Sequence, residues 1–467
     1  MNISRRKLLA ASAALPFVGV ARAADAVSIQ LYPQRVQRLM PPDFMGLGFE
    51  SSAVAAGILN SGNRAYVQLV RNLGKGVIRI GGNVSDYTRY DLGAAAAHGH
   101  KSTVLNYESL RQFRGFLDAV GWKLIWGLNL GTGTVDNAVA LARAVTEVMG
   151  ERLITFQIGN EPDLFVLQGH RTAPYGYDQW LAEYRKYKAA IRAALPNAKF
   201  AGPDISDAGV SWVERFAADE GKDAVMLTAH HYIAGADNPA SNHGLLLREE
   251  TRFAQNNLTR FQASAARAGI PWRMSETATL YGGGKPGVSD SFASALWVLD
   301  YLFVLARYGA AGANLQTGIN HLGKLSAYSP ITDDRRGHYG SAPEYYGLLA
   351  FAQIAEGEII AAETVTGGIN LVAHALRQKG GAIAVAVINK DMKRDAAVSI
   401  AGAPQGEAQV MRLAAPSVSA LRGVTLGGSS VGGDGRWAGV SEAVRIESGR
   451  AKLTVPAGSA ALVTFSV

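Results

Sequence analysis

Glu161 in "QIGNEP" (157–162) and Glu276 in "RMSETATLYGGG" (273–284) each follow an apolar run that reads as a buried β-strand. Two carboxyl groups that meet across one cleft can cleave a glycosidic bond by double displacement. One protonates the leaving oxygen and the other attacks the anomeric carbon, with retention of configuration when they stand roughly 5 to 5.5 Å apart. We assign Glu161 as the acid/base and Glu276 as the nucleophile. Asn160, directly before Glu161, is placed to hydrogen-bond a sugar 2-hydroxyl, a contact that strengthens in the transition state. Taken singly, a glutamate after a strand is more often a solvated loop carboxylate; the matched pair and the Asn-Glu-Pro setting carry the reading.

The two glutamates can meet only if the fold delivers both strand ends to one place. Between 44 and 355, eight short β-rich runs alternate with longer stretches: "FMGLGFE" (44–50), "GVIRIGG" (76–82), "KLIWGLNLG" (123–131), "LITFQIGN" (153–160), "KFAGPD" (199–204), "VMLTAHHY" (225–232), "PWRMSET" (271–277) and "AGANLQTG" (311–318). Stretches such as "SLRQFRGFLDAVG" and "YDQWLAEYRKYKAAIRAAL" repeat apolar residues at three and four, the period of a helix. Continuous apolar strands separated by helices imply parallel strands buried on both faces, and eight such units close an α/β (β/α)8 TIM barrel. A doubly wound open sheet is the competing architecture. Chemistry in such a barrel collects at the carboxyl ends of the strands, where Glu161 ends the fourth and Glu276 the seventh.

From 356 to 467 the texture changes to alternation with period two and many glycines, as in "GAIAVAVINKD" and "KLTVPAGSAALVTFSV". This predicts a C-terminal antiparallel β-sandwich domain. Residues 24–43 carry the same strand pattern and are expected to join it.

Residues 1–23 have paired arginines (Arg5, Arg6), a short apolar run and a small-residue exit at Ala21-Arg22-Ala23, the pattern of a twin-arginine export leader. The expected location is therefore periplasmic or secreted. No other window has 18 uninterrupted apolar residues, so no membrane span is expected. The formal charge of +8 includes Arg5, Arg6, Lys7 and Arg22, and losing those four with the leader leaves +4. So small a charge argues against non-specific nucleic-acid binding. The sequence has no cysteine, which excludes thiol catalysis and thiolate metal sites.

"IRIGGNVSD", "GNEP" and "SETATLYGGG", followed by "VSDSFASALWVLD", resemble the corresponding elements of the heparanase and β-glucuronidase group, glycoside hydrolase family 79, within the clan of retaining barrel hydrolases. The resemblance implies Glu161 as acid/base, Glu276 as nucleophile and Asp86 as a sugar-hydroxyl contact. It implies that Tyr232 hydrogen-bonds the nucleophile, and that Tyr281, the amides of Gly282 and Gly283, and Tyr328 face the carboxylate of a glucuronic acid. Neutral donors can hold such an anion. The approach to Tyr328, "GKLSAY", departs from the glycines and asparagine usual in the family.

Arg79, charged within a predicted barrel strand, needs a partner: the nucleophile or a structural carboxylate. His230-His231 does not read as a metal pair, because neighbours on a strand point to opposite faces. The glycines of "GGNVSD" and "GGG" lack the spacing of a phosphate loop, and no G-x-S-x-G elbow supports Ser-His-Asp catalysis. Most tryptophans fall in predicted strands or helices and read as core.

The sequence therefore predicts a retaining glycoside hydrolase for β-linked glucuronic acid, heparanase-like, acting inside or at the ends of heparan-sulfate-type or related glycans. It would be a monomer with no metal or cofactor. A barrel hydrolase for a neutral β-xyloside or β-glucoside is the alternative within the class, and a non-catalytic glycan-binding protein the alternative outside it.

Overall fold

The structure, a computed structural model, describes residues 25–91, 102–248, 254–318, 325–404 and 406–466; the leader read at 1–23 lies outside them. Eight parallel strands close a barrel: Met45–Glu50, Gly76–Gly81, Lys123–Leu128, Leu153–Ile158, Phe200–Ile205, Met226–Gly235, Trp272–Tyr281 and Ala310–Thr317. Each corresponds to one of the eight runs, so the open-sheet alternative falls away. The sixth and seventh strands run on past their sequence-predicted ends as a pair, with Ala278 opposite Tyr232 and Tyr281 opposite Gly235. Glu276 therefore sits within its strand rather than at the tip.

The helices follow from local chemistry. Tyr107–Val120 starts at Asn106, whose side chain accepts from Ser109 N while the Ser109 hydroxyl accepts from Asn106 N, and it stops at Gly121 with φ 75°. Its Leu110, Phe113, Phe116, Leu117 and Val120 form one buried face, each fully buried side chain contributing about 1.5–3 kcal/mol. The helix Phe292–Arg307 is different: nearly every residue is buried, because it lies between the barrel and the C-terminal domain. Trp122, Trp126, Trp180, Trp272 and Trp297 are core side chains.

The C-terminal domain is one curled sheet of 11 strands wrapped around its own apolar core of Val385, Val387, Val398, Val410, Val455 and Val463. Asp25–Leu39 lies in its middle, antiparallel to Glu358–Val365 and parallel to Ala396–Ala401, as the strand pattern before the barrel predicts. Its register breaks between Tyr32 and Val36, around Pro33, which cannot donate to a ladder. Buried Lys390 and His374 from this sheet bind Asp300 of the helix Phe292–Arg307 at 2.5 and 2.8 Å, joining the two domains.

Candidate active site

Barrel strands place side chains inward at every second residue unless the ladder is interrupted. It is interrupted twice at this site. In the seventh strand the register with the sixth shifts between Met274 and Glu276, so the consecutive residues Ser275 and Glu276 both reach the barrel interior. In the fifth strand it shifts between Pro203 and Ile205, where Asp204 has φ 63° and turns its carboxylate inward. Bulges of this kind re-aim side chains beside active sites. Glu161 itself holds φ 50°, ψ 54°, an uncommon left-handed conformation, with its N–H bound to Asp204 O at 2.9 Å.

These departures assemble a buried charge network. Arg79 Nη1 donates to Glu276 Oε2 at 2.6 Å, Nη2 to Asp204 Oδ2 at 2.7 Å and to Asn160 Oδ1 at 2.8 Å, and Nε to Gln157 Oε1 at 3.1 Å. It thus pairs with both the nucleophile and a structural carboxylate. Asp204 also accepts from Gln157 and from Ser275 Oγ at 2.6 Å. His230 stands between Glu161 Oε1 and Asp204 Oδ1, 3.0 Å from each. Tyr232 donates its hydroxyl to Glu276 Oε1 at 2.7 Å.

The network drives the two glutamates apart in acidity. Burial alone would push Glu276 up, but the charges of His230 and Arg79 and the hydrogen bonds of Tyr232 and Arg79 outweigh it and hold the carboxyl below its ordinary range. Burial pushes Glu161 up, against the hydrogen bond and charge of His230. The pair is thereby biased in opposite directions, the division of labour that acid/nucleophile pairs need. His230 loses affinity for a proton by burial, yet the Asp204 and Glu276 carboxylates raise it to about 10.

Atoms of Glu161, His230 and Glu276 lie within 4.8 Å of one another. That spacing could in principle gather a cation, but the groups already have partners: Glu276 takes Arg79 and Tyr232, and His230 lies against Glu161 and Asp204. The same spacing suits direct attack better than the wider gap, roughly 6.5–9.5 Å, that leaves room for an inverting water.

A cavity of about 660 Å³ opens over the pair, and its lining includes Glu50, Tyr232, Tyr281, Gly282, Gly283, Gln316 and Tyr328. The turn after the seventh strand has three successive glycines at φ 80°, 88° and 78°, a path open to glycine and strained for other residues. The Tyr328 ring stands 6.0 Å from that of Tyr232. Gln316 Oε1 is buried without a hydrogen-bond partner among the described residues, leaving an acceptor at the cavity wall.

Two expected sugar contacts lie elsewhere. Asp86 is buried and does not line the cavity: Oδ1 accepts from the amides of Leu130 and Gly131, and Oδ2 from that of Asn160. It ties three loops together beneath the site, because a carboxylate shielded from water takes the nearest N–H groups. Burial raises it to about 7 despite those amides. Asn160 is likewise buried, between Arg79 and Asn83, at 2.8 and 3.3 Å, below the cavity surface.

Glu50 escaped the sequence reading although it ends the first barrel strand, the same signal that marked Glu161. Its Oε2 accepts from Val84 N at 2.8 Å, and burial, reinforced by the Glu276 charge, raises it to about 8. Gly82, at φ 81°, makes room for it; a Cβ there would meet the Glu50 carboxyl at 2.6 Å.

Residues 373–462 match the glycosyl hydrolase family 79 C-terminal beta domain. The chain is 26% identical over 341 residues to a beta-glucuronidase of Aspergillus niger, covering 65% of this chain and 62% of that one. It is 23% identical over 356 residues to the heparanase of Mus musculus, covering 62% and 65% respectively. The chain thus spans less than two thirds of the length of these curated relatives. In fold it is similar to a 4-O-alpha-L-rhamnosyl-beta-D-glucuronidase from Fusarium oxysporum 12S, with TM-score 0.76 and 18% identity over 94% of this chain and all of that one. An alpha-L-arabinofuranosidase from Thermotoga maritima shares the fold at TM-score 0.69 and 15% identity, over 95% of this chain and all of that one.

Proposed function

We propose that the chain is a retaining β-glucuronidase of glycoside hydrolase family 79, the family whose C-terminal beta domain residues 373–462 match. The observation that carries this is the approach of the Glu161 and Glu276 carboxyl groups to within 4.8 Å, with the acidity of the first pushed down by burial and that of the second raised by His230 and Arg79.

In the first step Glu276 attacks the anomeric carbon as Glu161 gives its proton to the glycosidic oxygen, which leaves as an alcohol. In the second, Glu161 takes a proton from water, whose oxygen attacks the same carbon and releases Glu276. Arg79 and Tyr232 hold the nucleophile in place from two sides without blocking its approach from the cavity. Glu50, in its neutral form, and Gln316 offer a donor and an acceptor to sugar hydroxyls. Tyr281, Tyr328 and the turn at 282–283 supply the neutral donors a glucuronate carboxylate needs. The named activities of the relatives support this choice over a neutral sugar, and an ordered acid/nucleophile pair favours an enzyme over a glycan-binding protein.

The test is a proton NMR time course with 4-nitrophenyl β-D-glucuronide and the matching glucoside. Glucuronide turnover with β-glucuronic acid as the first product is expected. An α-anomer first, or preference for the glucoside, overturns the proposal. Export is proposed on the strength of the twin-arginine pattern, and fractionation of expressing cells with and without Arg5→Lys/Arg6→Lys checks it. A monomer is proposed as well, checked by light scattering. No described helix is long and apolar enough to cross a membrane.

A further inference from the structure

Glu161 is held by more than its side-chain contact with His230. Its left-handed backbone, at φ 50° and ψ 54°, is strained for a residue with a Cβ, so the surrounding structure has to maintain it. Its N–H donates to Asp204 O at 2.9 Å, and its carbonyl accepts from Leu164 N at 2.8 Å. Two residues on, Asp163 ties this turn to the segment after the fifth strand: Oδ1 accepts from Ser206 N at 3.1 Å and Oδ2 from Ser206 Oγ at 2.6 Å. Ser206 Oγ in turn accepts from Ala208 N at 3.2 Å, which aims its proton at Asp163.

The clamp has little slack. A Cβ at Gly209 would meet Asp163 Oδ2 at 2.8 Å. Ser206 also caps the single turn Asp207–Gly209, which runs straight into the helix Val210–Asp219. The turn after Glu161 is therefore anchored to a regular element. Asp163 is not among the described residues lining the cavity, so it acts on substrate through the residues it holds.

Resting on the acid/base role proposed above for Glu161, we infer that Asp163 is a positioning residue that, through Ser206, keeps the strained backbone of Glu161 in place and its carboxyl on the glycosidic oxygen. Without the clamp the turn can relax toward ordinary dihedrals, and a donor displaced by about 1 Å loses about 10²-fold in rate. The attack by Glu276 should be spared, because Arg79 and Tyr232 hold that carboxylate from other strands.

The experiment measures kcat/KM on the full chain with two β-D-glucuronides, since this constant reports cleavage of the glycosidic bond rather than release of the glycosyl-enzyme. 2,4-Dinitrophenolate leaves as a stable anion, whereas methanol can leave only with a proton from Glu161. Asp163→Ala should lower kcat/KM for the methyl glucuronide by about 10²-fold and for the dinitrophenyl glucuronide by no more than about threefold. Asp163→Asn, whose amide can accept from Ser206 N and donate to Ser206 Oγ, should restore most of the methyl activity. Ser206→Ala, which keeps the N–H and loses the hydroxyl, should show the same selectivity in weaker form, and it carries the test if Asp163→Ala does not fold. Equal losses on the two substrates, no loss on the methyl glucuronide, or an Asp163→Asn variant as slow as Asp163→Ala would overturn the role. If the unmodified enzyme cleaves the matching glucosides and neither glucuronide, the glucuronidase reading fails, and the same comparison on the glucosides still decides the role of Asp163.

Discussion

Arg79 and Glu276 meet inside the barrel at 2.6 Å, the guanidinium fully buried and its other nitrogen 2.7 Å from Asp204. The contact serves folding and chemistry at once, because Arg79 pairs with the buried Asp204 and with Glu276 at the cavity floor. Arg79→Met would leave His230, among the described residues, as the one remaining cation beside both, so we expect a loss of about 3–5 kcal/mol in stability. Activity on an aryl glucuronide should fall by about 10²-fold or more as Glu276 loses its fixed orientation. Urea unfolding and steady-state kinetics on the same preparation check both.

Glu276→Gln removes the attacking oxygen and Glu161→Gln the proton donor. Each should lower kcat/KM by about 10²-fold to 10⁴-fold. A 2-fluoro glucuronide that traps the covalent intermediate should add its mass to the peptide containing Glu276 in the unmodified enzyme, and to no peptide of Glu276→Gln. Adduct formation elsewhere would remove Glu276 from its role.

The pH profile should be a bell whose acid limb lies below the ordinary carboxylate range, where Glu276 takes a proton, and whose alkaline limb lies above it, where Glu161 loses one. His230 favours the ionised form of both groups. His230→Gln removes that positive charge, so both limbs should move to higher pH. Limbs that stay in place would show that His230 does not tune the pair.

Glu50 has a folded pKa of about 8 against an ordinary 4.5, so folding favours its neutral form. The stability it contributes is full below about pH 4.5 and is lost as pH rises toward 8. Glu50→Gln should therefore leave the melting temperature at pH 4 nearly unchanged and raise it at pH 8. Thermal scans at the two values decide the matter.

Lys390→Met would strip Asp300 of its ammonium partner at the junction of the two domains. A loss of about 3–5 kcal/mol is expected. The double variant with Asp300→Asn should recover part of it, since the stranded charge is then gone. Additive losses in calorimetry would argue against a coupled pair.

Much of this was legible in the sequence. Eight apolar runs gave eight barrel strands because strands buried on both faces need no partner pattern to be seen, and Glu161 and Glu276 stood out as carboxyls on such strands. Asp25–Leu39 could be placed in the C-terminal sheet from alternation alone. What did not show was which polar groups would meet. Asp86 reads as a site residue from its motif, yet three loop amides absorb its carboxylate, a result of loop proximity that spacing does not encode. Asp204, Gln157 and Ser275 lie inside apolar runs and become polar interior only once the barrel closes around Arg79.

The offset at Ser275 gives the seventh strand an odd count. Removing Ser275 would bring the strand back into step with its neighbour and still leave Glu276 facing inward, since the two consecutive inward residues would become one. Thr277, whose hydroxyl meets Tyr301 on the surrounding helix, would keep its outward place. What the shorter stave would lose is the hydroxyl that Asp204 accepts at 2.6 Å, so the extra residue feeds the charge network under the nucleophile.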